Sequence, residues 1–163
     1  MKERKYKNFF VAAADGTRVY TGKYYVHPKE GKAVGFALSA LYAAFILLYF
    51  LENAPSVTCI YVFPIAAARL FPALYWLMGA FSRAVTGEKI TIVQRESGIG
   101  RAYRAAVGCA TLGLLTLGAE IVFCALNGFS YLSLAYNAIA LLLSAIGAAH
   151  AKTVYAKTRE EVS

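Results

Sequence analysis

Residues 57–81 read VTCIYVFPIAAARLFPALYWLMGAF, an apolar run that carries Arg69 at its centre. A helix needs about 20 apolar residues to span about 30 Å of hydrocarbon, so this run is long enough to cross a bilayer. A guanidinium at that depth costs at least about 2.5 kcal/mol unless it faces protein, water or an opposite charge. The run therefore predicts a membrane-spanning helix whose arginine has a partner elsewhere in the chain.

The candidate partner of Arg69 is Glu120, which stands alone in a second apolar run, residues 105–126. Arg69 lies ~18 Å below the predicted outer end of its helix, and Glu120 lies ~9 Å below the outer end of its own. Because helical side chains tilt toward the N-terminus, the two side chains approach each other's level in antiparallel helices. We expect them to neutralise each other, either as a fixed pair that sets helix register or as a substrate or proton site in which Glu120 titrates.

The composition of the whole chain agrees with a membrane protein. Of the 163 residues, 59% are hydrophobic and 16% are charged, and the apolar residues are clumped into long runs. Soluble domains carry roughly 25% charged residues. Runs long enough to span a bilayer occupy residues 33–51, 57–81, 105–126 and 129–149. The sequence predicts an all-α membrane protein, a four-transmembrane-helix bundle over residues 33–151, with a loop at 82–104 and a tail at 152–163.

The net charge of +8 is unevenly placed along the chain. Lysine and arginine occur before the first span, between spans two and three, and after span four, but not in the connectors 52–56 and 127–128. The positive-inside rule then predicts a multi-pass protein of the cytoplasmic membrane with both termini cytoplasmic (N-in, C-in). The basic residues would also attract anionic headgroups of the lipid bilayer. No nucleic-acid recognition motif accompanies the charge, so nucleic acid is not an expected partner.

The leader, residues 1–32, has the pattern of a cytoplasmic β-hairpin. Aromatic and β-branched residues flank Asp15 and Gly16, a dipeptide that favours a two-residue hairpin turn. A turn at that dipeptide places Val11 opposite Tyr20. The alternative is that the leader's aromatic side chains rest in the interfacial belt of the membrane.

Two further segments are predicted to complete the cytoplasmic side. Residues 89–94, KITIVQ, have strand composition and would join the hairpin as a third strand under the inner ends of the helices. Residues 97–101, SGIGR, contain a GxG, but the third glycine of a dinucleotide-binding loop is missing, and we interpret them as a turn before the third span. Residues 152–161 are expected to continue the last helix past the membrane.

Several residues inside the spans have structural or functional interpretations. Pro64 and Pro72 are predicted helix-kink positions, since each removes a backbone hydrogen bond near Arg69, and such kinks occur both at binding sites and as architecture. Asn137 lies near the middle of the fourth span as an interhelical hydrogen-bonding group. Small residues recur at four-residue spacing in the first and fourth spans: Ser39, Ala43, Ala140, Ser144 and Ala148.

The chain contains few residues suited to catalysis. His27 and His150 have no cysteine or carboxylate at metal-ligand spacing, and Cys59, Cys109 and Cys124 form no CxxC. Cys59 and Cys124 lie at similar predicted depth near the outer face, so an outward disulfide is conceivable, with reduced buried thiols as the default. We expect neither an enzyme nor a bound metal or cofactor.

Two functions therefore remain open from the sequence. The first is a polytopic membrane protein of accessory or structural type, which associates with itself or with a larger membrane complex through its small-residue faces, its cytoplasmic sheet and its basic loop. The alternative is a subunit of an oligomeric small transporter or channel, with Arg69, Glu120 and Asn137 along the path. A dry contact between the charges favours the first, and a cavity open to one side favours the second.

Overall fold

The computed structural model describes residues 10–12, 18–22, 24–26, 31–52, 55–87, 89–128 and 131–160. The helices are α1 (Lys32–Leu51), α2 (Phe63–Ala68), α3 (Leu70–Val85), α4 (Ile92–Arg95), α5 (Arg101–Asn127) and α6 (Tyr131–Lys157). Within the described residues, four helical segments are long and apolar enough to cross a membrane: α1, α2 with α3, α4 with α5, and α6. The four predicted spans are thus present as helices of sufficient length.

The second span begins later than predicted. Its helix starts at Phe63 rather than at residue 57, after a short 3₁₀ turn over Pro55–Thr58. Pro64 lies in the first helical turn, where a proline's missing N–H is not needed and its fixed φ favours a helix start. The expectation that Pro64 kinks the helix is therefore wrong, because it stands at the beginning of the helix.

The interruption in this span falls at Arg69, between α2 and α3. The backbone N–H of Arg69 donates to the carbonyl of Ala66 at 3.2 Å, a tighter turn than the α-helical one. Pro72 follows three residues later and cannot donate to the carbonyl of Ala68. The break between α2 and α3 thus occurs where Pro72 removes one of the backbone hydrogen bonds of the helix. Arg69 lies at this break.

Most of the predicted loop 82–104 forms helix or strand instead of irregular structure. A π-helical turn, Glu96–Gly100, continues directly into α5. Residues 97–100, interpreted as a non-helical turn, are therefore helical, and the helix that they were expected to lead into begins at Arg101. A Cβ atom at Gly79 would lie 2.8 Å from the backbone nitrogen of Ala102, so glycine at this position lets α3 lie directly against the start of α5.

The hairpin in the leader is present as two short antiparallel strands. They are β1 (Phe10–Ala12) and β2 (Arg18–Tyr20). Phe10 pairs with Tyr20, with ring centroids 5.3 Å apart, so the expected pairing of Val11 with Tyr20 is wrong by one residue. A one-residue shift in register exchanges the faces, and here it brings two aromatic rings together. The predicted turn at Asp15 and Gly16 lies outside the described residues.

A second sheet, separate from the hairpin, lies at one end of the bundle. Its strands are β3 (Tyr24–Val26), β4 (Lys89–Thr91) and β5 (Arg159–Glu160), with β3 in the middle and both neighbours antiparallel to it. The predicted strand at 89–94 forms over its first three residues and pairs with β3 rather than with the hairpin. The expected continuation of the last helix into residues 152–161 is confirmed as far as Lys157. It is wrong beyond that residue, because Arg159–Glu160 form a strand that pairs with β3.

Arg95 joins this sheet to the bundle. Its guanidinium carbon lies 5.0 Å from the ring centroid of Tyr25, on β3, and 4.2 Å from that of Tyr155, on α6. The Tyr155 hydroxyl donates to a carboxylate oxygen of Glu96 at 3.0 Å. These contacts fix the sheet against the ends of the helices, as predicted for a sheet under the bundle.

The interior of the bundle is packed through small residues. Trp76 fits against Gly147, where an added Cβ atom would lie 2.1 Å from the indole carbon Cζ2. Ser39, Ala140 and Ser144, from the predicted small-residue stripes, are buried between the helices. These stripes therefore serve packing within one chain, where small side chains let helices approach closely.

The outside of the bundle is apolar. Large side chains such as Phe71, Leu114 and Leu142 are more than half exposed on the helix faces. Contiguous apolar exteriors are rare on soluble monomers. Small groups inside and large apolar groups outside are typical of helices that are long and apolar enough to span a membrane.

Candidate functional site: a buried polar network

Arg69 is completely buried between helices. Its Nε donates to the hydroxyl of Tyr42, on α1, at 3.3 Å, and its Nη1 donates to Oδ1 of Asn137, on α6, at 2.6 Å. The guanidinium carbon lies 5.7 Å from the Tyr42 ring centroid, within range of a cation–π contact. The junction of α2 and α3 thus holds a cation that is bound from two other helices.

Glu120, on α5, is also completely buried. Its Oε2 accepts a hydrogen bond from the hydroxyl of Tyr49, on α1, at 3.1 Å, and its Oε1 accepts one from Oγ of Ser133, on α6, at 2.5 Å. The anion is therefore bound by the same two helices, α1 and α6, that bind Arg69.

The two charges are connected through α6 rather than in direct contact. Between the described side chains of Arg69 and Glu120 there is no ion pair within 4.0 Å. Instead, Asn137 accepts from Arg69 and its Nδ2 donates to the backbone carbonyl of Ser133 at 3.1 Å, while the Ser133 hydroxyl donates to Glu120. The expectation that the two charges meet is therefore wrong.

The physical reason is the difference in depth between the two backbones. Arg69 and Glu120 were expected at levels ~9 Å apart, and the tilt of their side chains does not close that gap. Ser133 and Asn137 are one helical turn apart, about 6 Å along the axis, so α6 supplies a polar group at each level. We call the set Tyr42, Tyr49, Arg69, Glu120, Ser133 and Asn137 the central network.

Half of the central network was not identified from the sequence. Arg69, Glu120 and Asn137 stand out because strongly polar residues are rare in apolar runs. Tyr42, Tyr49 and Ser133 are ordinary residues in such runs. Their spacing was the available signal: the tyrosines are seven residues apart and therefore share one face of α1, and Ser133 precedes Asn137 by four on α6.

One donor of the central network is not satisfied by the described residues. Nη2 of Arg69 is buried and has no hydrogen-bond acceptor there. It lies beside α5, where a Cβ atom at Gly113 would be 3.7 Å from it. A buried donor of this kind can bond to a water molecule or to an oxygen atom of a ligand.

The three cysteines and His150 all lie within the described residues. Cys59, Cys109 and Cys124 are free thiols, so the disulfide considered between Cys59 and Cys124 is not formed. In the part of the chain that the structure describes, no group of three or more histidine, cysteine or acidic residues is placed to hold a metal ion. His27 lies outside that part.

Comparison of the chain with known protein families, with curated proteins and with solved structures finds no match.

Proposed function

We propose that the chain is a polytopic membrane protein of accessory or structural type, which associates with itself or with a larger complex in the cytoplasmic membrane. The observation that carries this proposal is the burial of the central network. Arg69 and Glu120 are fully shielded, and their hydrogen bonds go to α1 and α6. A charged group that serves a transport path has to face that path, whereas these groups join helices to one another.

A fixed structural role also explains why α6 makes a hydrogen bond to each of the two buried charges. Buried charges add little net stability, but breaking their contacts is costly, so such groups favour one packing arrangement over others. Ser133 and Asn137 fix the height of α6 relative to Glu120 and Arg69. A slip of α6 by one turn would break both contacts at once.

The contact surface that we propose is the sheet end of the bundle. β4 and β5 are the outer strands of the described sheet, and an outer strand offers backbone groups to a partner strand. Lysine and arginine are concentrated in the sequence around this end, which supports a cytoplasmic location under the positive-inside rule. The buried small-residue stripes contribute to packing of the single chain, so the proposal does not rest on them.

The experiment is a mass measurement on the full chain extracted from its membrane into native nanodiscs, followed by native mass spectrometry. We expect an assembly of two or more copies, or a stoichiometric complex with one defined membrane protein. A single copy without any protein partner, across several extraction conditions, would contradict the proposal.

The second candidate function is a transporter or channel subunit, and one observation favours it: the buried Nη2 of Arg69 has no hydrogen-bond acceptor among the described residues. Its test is flux of protons or ions into proteoliposomes. Flux that is lost in Glu120→Gln but kept in Glu96→Gln, a matched change at the sheet end, would favour transport. Absence of flux in the unsubstituted protein would favour the accessory function.

A further inference from the structure

The end of the bundle opposite the sheet carries buried polar atoms that the central network does not use. Lys32, the first residue of α1, donates to the carbonyl of Thr86, close to β4, so α1 begins at the sheet end. Glu52 and the 3₁₀ turn Pro55–Thr58, which follow α1, therefore lie at the opposite end, which we call the turn end. Oε2 of Glu52 and Oγ of Ser56 are buried there, and neither has a hydrogen-bond partner among the described residues. Such atoms are rare in folded proteins and need an explanation.

Ser56 connects the turn end to the anion of the central network. The residue is fully buried, and its hydroxyl lies beside the hydroxyl of Tyr49 without a hydrogen bond of regular geometry. Tyr49 in turn donates to Oε2 of Glu120 at 3.1 Å. A hydroxyl both donates and accepts, and its hydrogen rotates to suit its neighbours. Two hydroxyl groups in succession therefore lead from the turn end to Glu120.

Glu52 and Glu120 are close enough for the charge of one to affect the other. Burial raises the pKa of Glu52 above its ordinary value, and the negative charge of Glu120 raises it further. Two neighbouring carboxylates that are partly removed from water resist being ionised together. Glu52 is half-buried, so water still reaches it. It therefore takes up a proton at a higher pH than a glutamate in water, and a proton needs no cavity.

The other groups around Glu120 do not supply a cation at the turn end. Tyr61, in the segment before α2, senses the charge of Glu120 and is itself uncharged at neutral pH. Ser133 and Asn137, from α6, are polar and uncharged. Arg69 bonds to Asn137, one helical turn farther from the turn end than Ser133. The described residues at the turn end, 52, 55–62, 124–128 and 131–133, contain no lysine, arginine or histidine.

We propose that Glu52 and Glu120 form a proton-binding site that is loaded from the turn end. Glu52 takes a proton from water and gives it to the hydroxyl oxygen of Ser56. The Ser56 hydroxyl gives its own proton to the hydroxyl oxygen of Tyr49, which gives its own to Oε2 of Glu120. Each hydroxyl then still holds one proton, Glu52 is again a carboxylate, and Glu120 is neutral.

The described side chains give this site a single entrance. Beyond Glu120 the network continues through Asn137 to Arg69, and neither an amide nor a guanidinium releases a proton near neutral pH. A proton that reaches Glu120 therefore leaves by the way it came. This inference goes beyond the proposed function, because it gives the central network a ligand, and it requires no movement of protons across the membrane.

The experiment follows the protonation of carboxyl groups by time-resolved infrared spectroscopy after a rapid drop in pH. It uses the full chain in dodecylmaltoside, a detergent without carbonyl groups. A neutral carboxylic acid gives a carbonyl band that a carboxylate lacks, and the band of Glu120 is assigned by its loss in Glu120→Gln. If that variant does not fold, Glu120→Asp, which keeps a carboxyl group but shifts its band, gives the assignment.

The variants that interrupt the path are Glu52→Gln and Ser56→Ala. We expect each to slow the appearance of the Glu120 band at least about tenfold, because a positioned acid or base accelerates proton transfer by about 10²-fold or more. The matched controls are Glu96→Gln, at the sheet end, and Ser144→Ala, a buried serine whose hydroxyl donates within its own helix. In both controls the band should appear at the rate of the unsubstituted protein.

Two results would overturn the proposal. One is the absence of a Glu120-dependent band at every pH at which circular dichroism shows a folded protein. The other is an equal rate within either matched pair, Glu52→Gln with Glu96→Gln or Ser56→Ala with Ser144→Ala. If one variant does not fold, the remaining pair decides the question.

Discussion

The central network and the sheet end of the bundle hold basic side chains in different ways. In the network, Arg69 and Glu120 have opposite signs, and polar groups of α1 and α6 bind each of them. At the sheet end, Lys32, Arg83 and His150 come together from three helices, and Lys32 and Arg83 donate to the backbone carbonyls of Thr86 and Gly31. The difference teaches that side chains of other helices bind the charges of the network, whereas backbone carbonyls next to helix ends accept from the basic residues of the sheet end.

Substitutions should therefore have different consequences in the two regions. Removing a member of the network leaves its hydrogen-bonding partners buried and unpaired, which lowers the unfolding free energy strongly. Removing Lys32 from the sheet end takes away one hydrogen bond to a backbone carbonyl. We expect the loss of unfolding free energy to be large in the network and small at the sheet end.

The largest effect is expected for Glu120→Leu. It leaves Arg69 without an anion in the network and removes the acceptor for Tyr49 and Ser133, so the unfolding free energy should fall by about 3–5 kcal/mol. The measurement is equilibrium unfolding in mixed detergent micelles. Glu120→Gln retains an acceptor oxygen and should lose less. A loss below about 1 kcal/mol for Glu120→Leu, the range of an exposed ion pair, would remove the contrast between the two regions.

An intermediate effect is expected for Asn137→Leu, which has similar size but cannot accept from Arg69 or donate to Ser133. Loss of a hydrogen bond to a charged group should lower the unfolding free energy by about 2 kcal/mol. The matched control is Ser144→Ala, because the buried Ser144 hydroxyl donates only to the carbonyl of Leu141 within its own helix. Equal losses for both substitutions in the same unfolding assay would show that Asn137 does not connect the charges.

The smallest effect is expected for Lys32→Gln. The substitution removes one part-buried hydrogen bond, the one to the carbonyl of Thr86, so the unfolding free energy should fall by about 1 kcal/mol or less. Lys152→Gln, at an exposed position, is the reference. A loss as large as that of Glu120→Leu, measured by unfolding in micelles, would remove the contrast between the sheet end and the network.

Much of the fold could be predicted because its determinants are local. Length and apolarity of a run decide whether a helix can span a membrane, and the four spans follow from them. The ends of the helices and strands were harder to predict, since they depend on competing contacts. Pro64 begins a helix instead of bending one, and the tail leaves α6 because β3 offers backbone hydrogen bonds to β5.

The sites were only partly predictable because they depend on contacts between distant segments. Arg69, Glu120 and Asn137 could be selected from their apolar surroundings, but the depth of each residue decided that Asn137 and Ser133 stand between the charges. The approach of Arg83 and His150 to each other could not be recognised, since both lie at span ends where basic residues are ordinary orientation signals. Their meeting at Gly35 requires the packing of α1, α3 and α6.

The most direct test of the central claim, that Arg69 and Glu120 are energetically coupled through α6, is a double-mutant cycle with Arg69→Leu and Glu120→Leu in the micelle unfolding assay. If the two charges depend on each other, the double variant loses less unfolding free energy than the sum of the single losses, by about 1–3 kcal/mol. Additive losses, within about 0.5 kcal/mol, would contradict the account.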